Sequence, residues 1–203
     1  EEIIRENAEN KYKEENCNAS ISIDLKYREP TNKDASELKK IMKKYTQEQQ
    51  NNIAKHYDKI KIHFEKFITI LSTRQKEDLN RLFNWVSCHV LKHKLKYNGV
   101  RPHRRHKIQN VYVESAKTPS FPSGHAAQYY FVYLILSYYL PAYQKELQNI
   151  FVNGSNSRLI GGIHYVQDNV ASIELINKLV QYLNIDLDLN QYKLPADKII
   201  FNL

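Results

Sequence analysis

Apolar residues recur through the middle of this chain at the three- and four-residue steps of an α-helix. Ile53, Tyr57, Ile60, Phe64, Phe67, Ile68 and Leu71 fall on one such stripe and predict an amphipathic helix. Ser72, with Gln75 three residues on, reads as a capping box that opens the next helix. That helix carries Leu79, Leu82, Phe83, Val86, Val90 and Leu91 along one face, and Asn98-Gly99 ends it. Residues 101–122 read as a loop. A helix capped by Ser123 is predicted from Gly124 through the aromatic segment to Leu140. Pro141 then opens another to about Val152, and Asn153-Gly154-Ser155-Asn156 reads as a turn. A last helix, with Ser157 as its cap, is predicted from Arg158 to about Leu183. No alternating strand pattern and no internal repeat interrupts the series. The predicted fold class is all-α, a compact helical bundle.

Residues 1–34 are polar and charged, and Pro30 with Thr31-Asn32 reads as a boundary. They predict an N-terminal extension that packs loosely or wraps the rest, leaving 35–203 as a single helical domain. The longest greasy stretch, Tyr129 to Tyr143, contains Ser137 and Pro141 and falls short of the roughly 20 residues a membrane span needs. A buried core helix fits it better, and the chain is expected to be soluble, with no integral membrane segment. It opens on Glu1 rather than Met, and a secreted or periplasmic location would follow had a leader been removed.

Composition changes this picture little. Hydrophobic residues at 42% and aromatics at 11% mark a globular chain. The net charge of +8 favours anionic partners, although a lysine-rich surface is often only a solvated one. Cys17 and Cys88 make no disulfide framework and no zinc cluster; one bridge between them or two free thiols are equally compatible with the sequence. Asn18-Ala19-Ser20 and Asn153-Gly154-Ser155 match the glycosylation sequon, a frequent coincidence in an Asn-rich chain.

The chemistry is concentrated in three segments. In the middle one, Pro122-Ser123-Gly124-His125, a capped helix start offers unpaired N–H donors and the positive end of a macrodipole, which bind oxyanions. His125, in the first turn, is placed to protonate an oxygen leaving that anion. In the last segment, Ser157-Arg158-x5-His164-x3-Asp168, the histidine and carboxylate are four apart and would meet on one helical face. A carboxylate on Nδ1 leaves Nε2 free as a nucleophile or base. Gly161 and Gly162 before it read as room for a ligand or for close helix packing. The first segment, Lys94-x6-Arg101-Pro102, supplies cations to neutralise phosphate oxygens.

Each segment alone could be chance: a capped helix start, a surface His–Asp pair, two of thirty basic residues. Their ordered co-occurrence resembles the full signature of the type 2 phosphatidic acid phosphatase and vanadium haloperoxidase superfamily, most of all its soluble acid phosphatases. Every defining position is filled between residues 94 and 168. The resemblance implies that Lys94, Arg101, Arg158, Ser123 and Gly124 bind the phosphate. It implies that His164 attacks phosphorus, that Asp168 orients it, and that His125 is the general acid. It further implies a small phosphorylated substrate, no nucleic acid, and no metal or cofactor, with vanadate held by His164 in the haloperoxidase branch. His103, where Phe is frequent in the bacterial acid phosphatases, and Ala126, where Thr is common in phosphatases, depart from the pattern without touching a defining position. A haloperoxidase, a lipid phosphate phosphatase without a membrane domain, and a non-catalytic phosphate- or nucleic-acid-binding module are the competing readings. Tyr129, Tyr130, Tyr165 and His103 are candidates for the pocket walls.

Overall fold

The computed structural model describes residues 2–183 and 187–198; positions 184–186 and 199–203 of the expected domain lie outside the described residues. The helices, in chain order, are α1 (Glu2–Glu14), α2 (Asn32–Met42), α3 (Gln47–His56), α4 (Ile60–His63) and α5 (Glu65–Thr69). They continue with α6 (Thr73–Tyr97), α7 (Pro102–Arg105), α8 (Gly124–Tyr139), α9 (Gln144–Ile160) and α10 (Val166–Leu179). Short 3₁₀ turns fill several of the joints. No strand occurs among the described residues, and the fold is all-α. Among the described residues, no helix is long and apolar enough to cross a membrane.

The bundle is organised around α8, whose residues Tyr129 through Ser137 are all buried. A helix that is apolar all round must be enclosed on every side, and α6, α9 and α10 pack against it. The local signals that end helices act here as expected. Ser72 and Gln75 form the capping box that starts α6, and Asn98 ends it in the left-handed region with φ 48°. The Ser123 hydroxyl accepts from the Ala126 amide at the start of α8.

Three expected elements come out differently. The stripe from Ile53 to Leu71 is not one helix but α3, α4 and α5, with a break at Tyr57–Lys59. At that break Asp58 leaves helical pairing, and its carboxylate and carbonyl both turn to the partners described below. The expected turn at residues 153–156 lies inside α9. Gly154 there faces the Tyr129 ring so closely that a Cβ would come within 2.6 Å of it. Ser155 receives Asn169 Nδ2 on its carbonyl at 2.9 Å. Turn-forming composition is overridden by tertiary packing, because small residues let α8 and α9 approach. The actual turn comes later. Gly161, against the Ala54 side chain, and Gly162, at φ 66°, separate α9 from α10, so Ser157 caps nothing and α10 begins at Val166.

Residues 2–34 are stitched onto the bundle. Helix α1 packs on α6, and a disulfide joins Cys17 to Cys88. The segment that follows runs along α6: Lys92 Nζ donates to the Ala19 carbonyl at 2.8 Å, His93 Nε2 lies 2.8 Å from the Ile23 carbonyl, and Tyr97 Oη donates to the Leu25 carbonyl at 2.9 Å. At the start of α2, Asp34 accepts from the Thr31 amide and from both terminal nitrogens of Arg28.

The contact between Gly154 and Tyr129 is testable. Gly154→Ala should destabilise the fold by about 1–3 kcal/mol, the usual range for overpacking a closed interior, measured by urea unfolding. An unchanged midpoint would mean that α8 and α9 can part without cost.

Candidate active site

All three sequence segments converge on one cavity of about 70 Å³. Its wall includes Lys94, Arg101, Gly124, His125, Arg158 and His164. Lys94 sits in the last turn of α6, and Arg101 is the residue on which α7 begins. Gly124 and His125 are the first two residues of α8. Arg158 lies in the last turn of α9 rather than the first turn of a helix. His164 stands in the turn between α9 and α10.

The expected His164–Asp168 contact is present, but by a different route. The two do not share a helix, since His164 precedes α10 and Asp168 is its third residue. Asp168 Oδ2 reaches back toward the helix start, accepting from the Tyr165 amide at 3.0 Å, and meets His164 Nδ1 at 3.1 Å. Ser120 Oγ donates to the same oxygen at 2.5 Å. On the other side of the ring, Arg101 Nη1 lies 2.9 Å from His164 Nε2. A guanidinium can only donate, so Nε2 is the acceptor and the proton sits on Nδ1. The imidazole is thus held in the tautomer that keeps a lone pair on the cavity side.

The cations are buried and held by backbone oxygens. Arg101 donates through Nε and Nη2 to the Thr118 carbonyl, at 2.9 and 2.7 Å, and through Nη1 to the Ile163 carbonyl at 3.1 Å. Lys94 Nζ donates to the Pro119 carbonyl. Arg158 donates to the Ala54 carbonyl, to Ser157 Oγ at 3.0 Å and to Asp58 Oδ1 at 3.0 Å. Burial and the Arg101 charge pull the Lys94 ammonium well below its usual range, against Asp168. Arg101 is lowered by burial to about 10 and stays charged at neutral pH. An anion set between these groups would reverse the repulsion that lowers Lys94.

Both histidines are lowered. Burial comes first for His164, followed by the charges of Arg101, Lys94 and Arg158, and together they hold it neutral. Burial pushes Asp168 up to about 6, opposed by Ser120, the Tyr165 amide and Arg101. For His125, burial and Arg158 lower the ring while Asp58 raises it. His125 Nε2 lies 2.8 Å from the Asp58 carbonyl oxygen and 3.3 Å from Oδ1. Burial alone would raise the Asp58 carboxyl, but His125, Ser115 and Arg158 outweigh it and hold the group well below its usual range.

Ser123 and Asp168 stand one layer behind the wall. The Ser123 amide donates to the Asp168 carbonyl at 3.1 Å, and Ser172 Oγ lies within 2.8 Å of both carbonyls, Ser123 and Asp168. The starts of α8 and α10 are thereby latched together. At Gly124 a Cβ would find only ordinary contacts with Lys94 and Val90, at 3.7 and 3.8 Å. Packing does not require glycine there; its absent side chain leaves the helix start open toward Lys94. The candidate wall residues Tyr129, Tyr130, Tyr165 and His103 are not on this cavity. Tyr129 instead bonds to the Tyr57 carbonyl, Tyr130 to Asn177 and Tyr165 to His106. The sequence reading missed Asp58, Ser120, Thr118 and, on the outer wall, Lys11, Ser87 and Gln128.

Fold and site together describe an all-helical protein with buried cations, a helix start and a tautomer-fixed imidazole around one anion-sized cavity. The family model of the PAP2 superfamily matches residues 81–175, a span that contains all three segments, and this match supports assignment to that superfamily. The same match supports phosphoric ester hydrolase chemistry. No curated protein matches the chain.

The paired contacts of Asp58 give a test that needs no substrate. Asp58→Asn removes the charge that opposes burial and Arg158 at His125, so His125 should titrate at lower pH than in the wild type. Ring-proton NMR reads this directly, and an unmoved midpoint would discard Asp58 as its electrostatic partner.

Proposed function

We propose that the protein is a metal-independent phosphomonoesterase that works through a phosphohistidine at His164. The observation that carries this is the double tether of the His164 ring: Nδ1 on Asp168 and Nε2 facing Arg101 at the cavity wall. In this reading Lys94, Arg101, Arg158 and the Gly124 amide take the non-bridging oxygens of the phosphate, with Ser123 holding the turn that presents the amide. A phosphate oxygen that draws off Arg101 Nη1 exposes the Nε2 lone pair. Nε2 attacks phosphorus, the bond to the ester oxygen breaks, and protonated His125 gives its proton to that oxygen as the alcohol leaves. Neutral His125 then takes a proton from water as the water oxygen attacks phosphorus. The P–N bond breaks, and phosphate and free His164 are restored.

Charge that spreads over the phosphoryl oxygens in the transition state is met by groups already fixed in place. Arg101 and Arg158 are held by carbonyls and Asp58 before substrate arrives, so little reorganisation accompanies reaction. The cavity, at about 70 Å³, suits a phosphoryl group more than a large apolar substrate, which favours small esters over lipid phosphates.

The test is phosphate release from p-nitrophenyl phosphate in excess EDTA. The wild type should turn over, and His164→Ala should lose roughly 10³-fold or more, as nucleophile deletions do. Equal turnover in both proteins would end the proposed mechanism. Absence of phosphate release in the wild type, with peroxide-dependent bromination on adding vanadate, would move the assignment to the haloperoxidase reading.

The pH dependence follows from the same groups. Activity needs His125 protonated, and its titration is depressed, so kcat/KM should already fall as pH rises toward and past neutrality. It also needs Asp168 ionised against His164, so activity should fall again as pH drops through about 6. The expected profile is a narrow bell on the acid side of neutrality, its alkaline limb moved to lower pH in Asp58→Asn. A rate that climbs steadily to alkaline pH would contradict these roles.

A further inference from the structure

Of the residues lining the cavity, Lys94, Arg101, Arg158 and His164 are buried and form its inner part; Gln128 is half-buried and Lys11 exposed, and with Ser87, the partner of Gln128, they form its outer part. Two helices run from one to the other. On α8, Gln128 follows His125 by three residues, on the face that also carries Gly124, while Ala126 and Ala127 between them are buried. On α6, Ser87 precedes Lys94 by seven residues, about 10 Å along the axis at the helical rise. Gln128 Nε2 donates to Ser87 Oγ at 2.8 Å and closes the rim between the two helices. The outer part therefore adjoins His125, the proposed general acid, one helical turn before Gln128 on α8.

Helix α1 completes this rim. Its Ala8 is fully buried, its Asn7 Nδ2 donates to the Lys117 carbonyl at 3.1 Å, and the Cys17–Cys88 bridge pins the following segment beside Ser87. Lys11 is thus carried to the cavity by a fixed element. Its carboxylate neighbour, Glu15 at 3.8 Å, is an exposed pair, which in water is weak. Charge gives Lys11 a role. Three inner cations face the carboxylates of Asp58 and Asp168, and with His125 protonated, as the proposed mechanism requires, two net positive charges remain. A phosphate dianion balances both, so a substrate with a further anion needs another cation at the rim.

We propose that Lys11 is a specificity-determining residue for the leaving group. With Gln128 and Ser87 it receives an anionic substituent, a carboxylate or a second phosphate, on the part of the substrate that departs. This rests on the phosphatase reading above. The substrate class is then a small phosphomonoester whose alcohol portion is itself anionic.

Binding of matched non-hydrolysable ligands tests it without turnover. In EDTA and low salt, 3-phosphonopropionate and propylphosphonate are titrated into the full chain by calorimetry. The wild type should prefer the carboxylate-bearing ligand by roughly two- to fivefold, the scale of a partly exposed charge pair. Lys11→Met should remove the preference, Lys11→Arg should retain it, and added salt should reduce it. Circular dichroism of each variant separates lost folding from lost preference. Equal affinities in the wild type, or a preference that survives Lys11→Met, overturns the proposal. A second phosphate is distinguished from a carboxylate by repeating the comparison with methylenediphosphonate. If the preference holds but p-nitrophenyl phosphate is not hydrolysed, the catalytic reading fails while the anion subsite stands.

Discussion

Arg101 and Arg158, each almost wholly buried, set the terms for everything around them. A guanidinium taken out of water costs several kcal/mol unless its donors are met, and here they are met largely by carbonyl oxygens. Those acceptors come from places that regular helix would have closed: the Thr118 and Ile163 carbonyls in connecting segments, and the Ala54 carbonyl near the frayed end of α3. The breaks in the helical pattern are therefore part of how the cations are kept. Asp58 belongs to the same solution, because its break lets one carboxylate serve Arg158 and His125 together.

The same low dielectric explains the shifted ionisation. Without burial, His164 and Asp168 would form an ordinary ion pair with the proton on the ring. Out of water and among three cations the ring is driven neutral, while burial raises the carboxyl against the pull of Ser120, the Tyr165 amide, Arg101 and Lys94. The fixed tautomer follows from Arg101 and Asp168 acting on opposite edges of one ring.

What could be read in the sequence was what local rules decide. The caps at Ser72, Asn98 and Ser123 are short-range, and each ends or starts a helix where expected. The residues of the cavity were legible because the three segments keep a fixed order and spacing. The contact between His164 and Asp168 was anticipated for the wrong reason. Helical spacing suggested it, but Gly161 and Gly162 break the helix, and Asp168 makes the contact from the start of α10. The continuation of α9 through residues 153–156 was hidden because its cause, the Tyr129 ring against Gly154, is 25 residues away. Asp58 and Lys11 carried no local signature at all: one lies in a break inside an apolar stripe, the other in a charged N-terminal segment that resembles solvated surface.

The closure of α1 over α6 also bears on how the protein matures. The wall that contains Lys11 and His164 joins residues from nearly opposite ends of the described chain, and contacts of such long range form slowly because loop closure must come first. A chain in which α6, α8, α9 and α10 have formed would already show much of its helical signal, yet its pocket would still lack an outer side. Far-ultraviolet ellipticity is therefore an early reporter for this protein, and the anion pocket, completed by its first helix, is a late one.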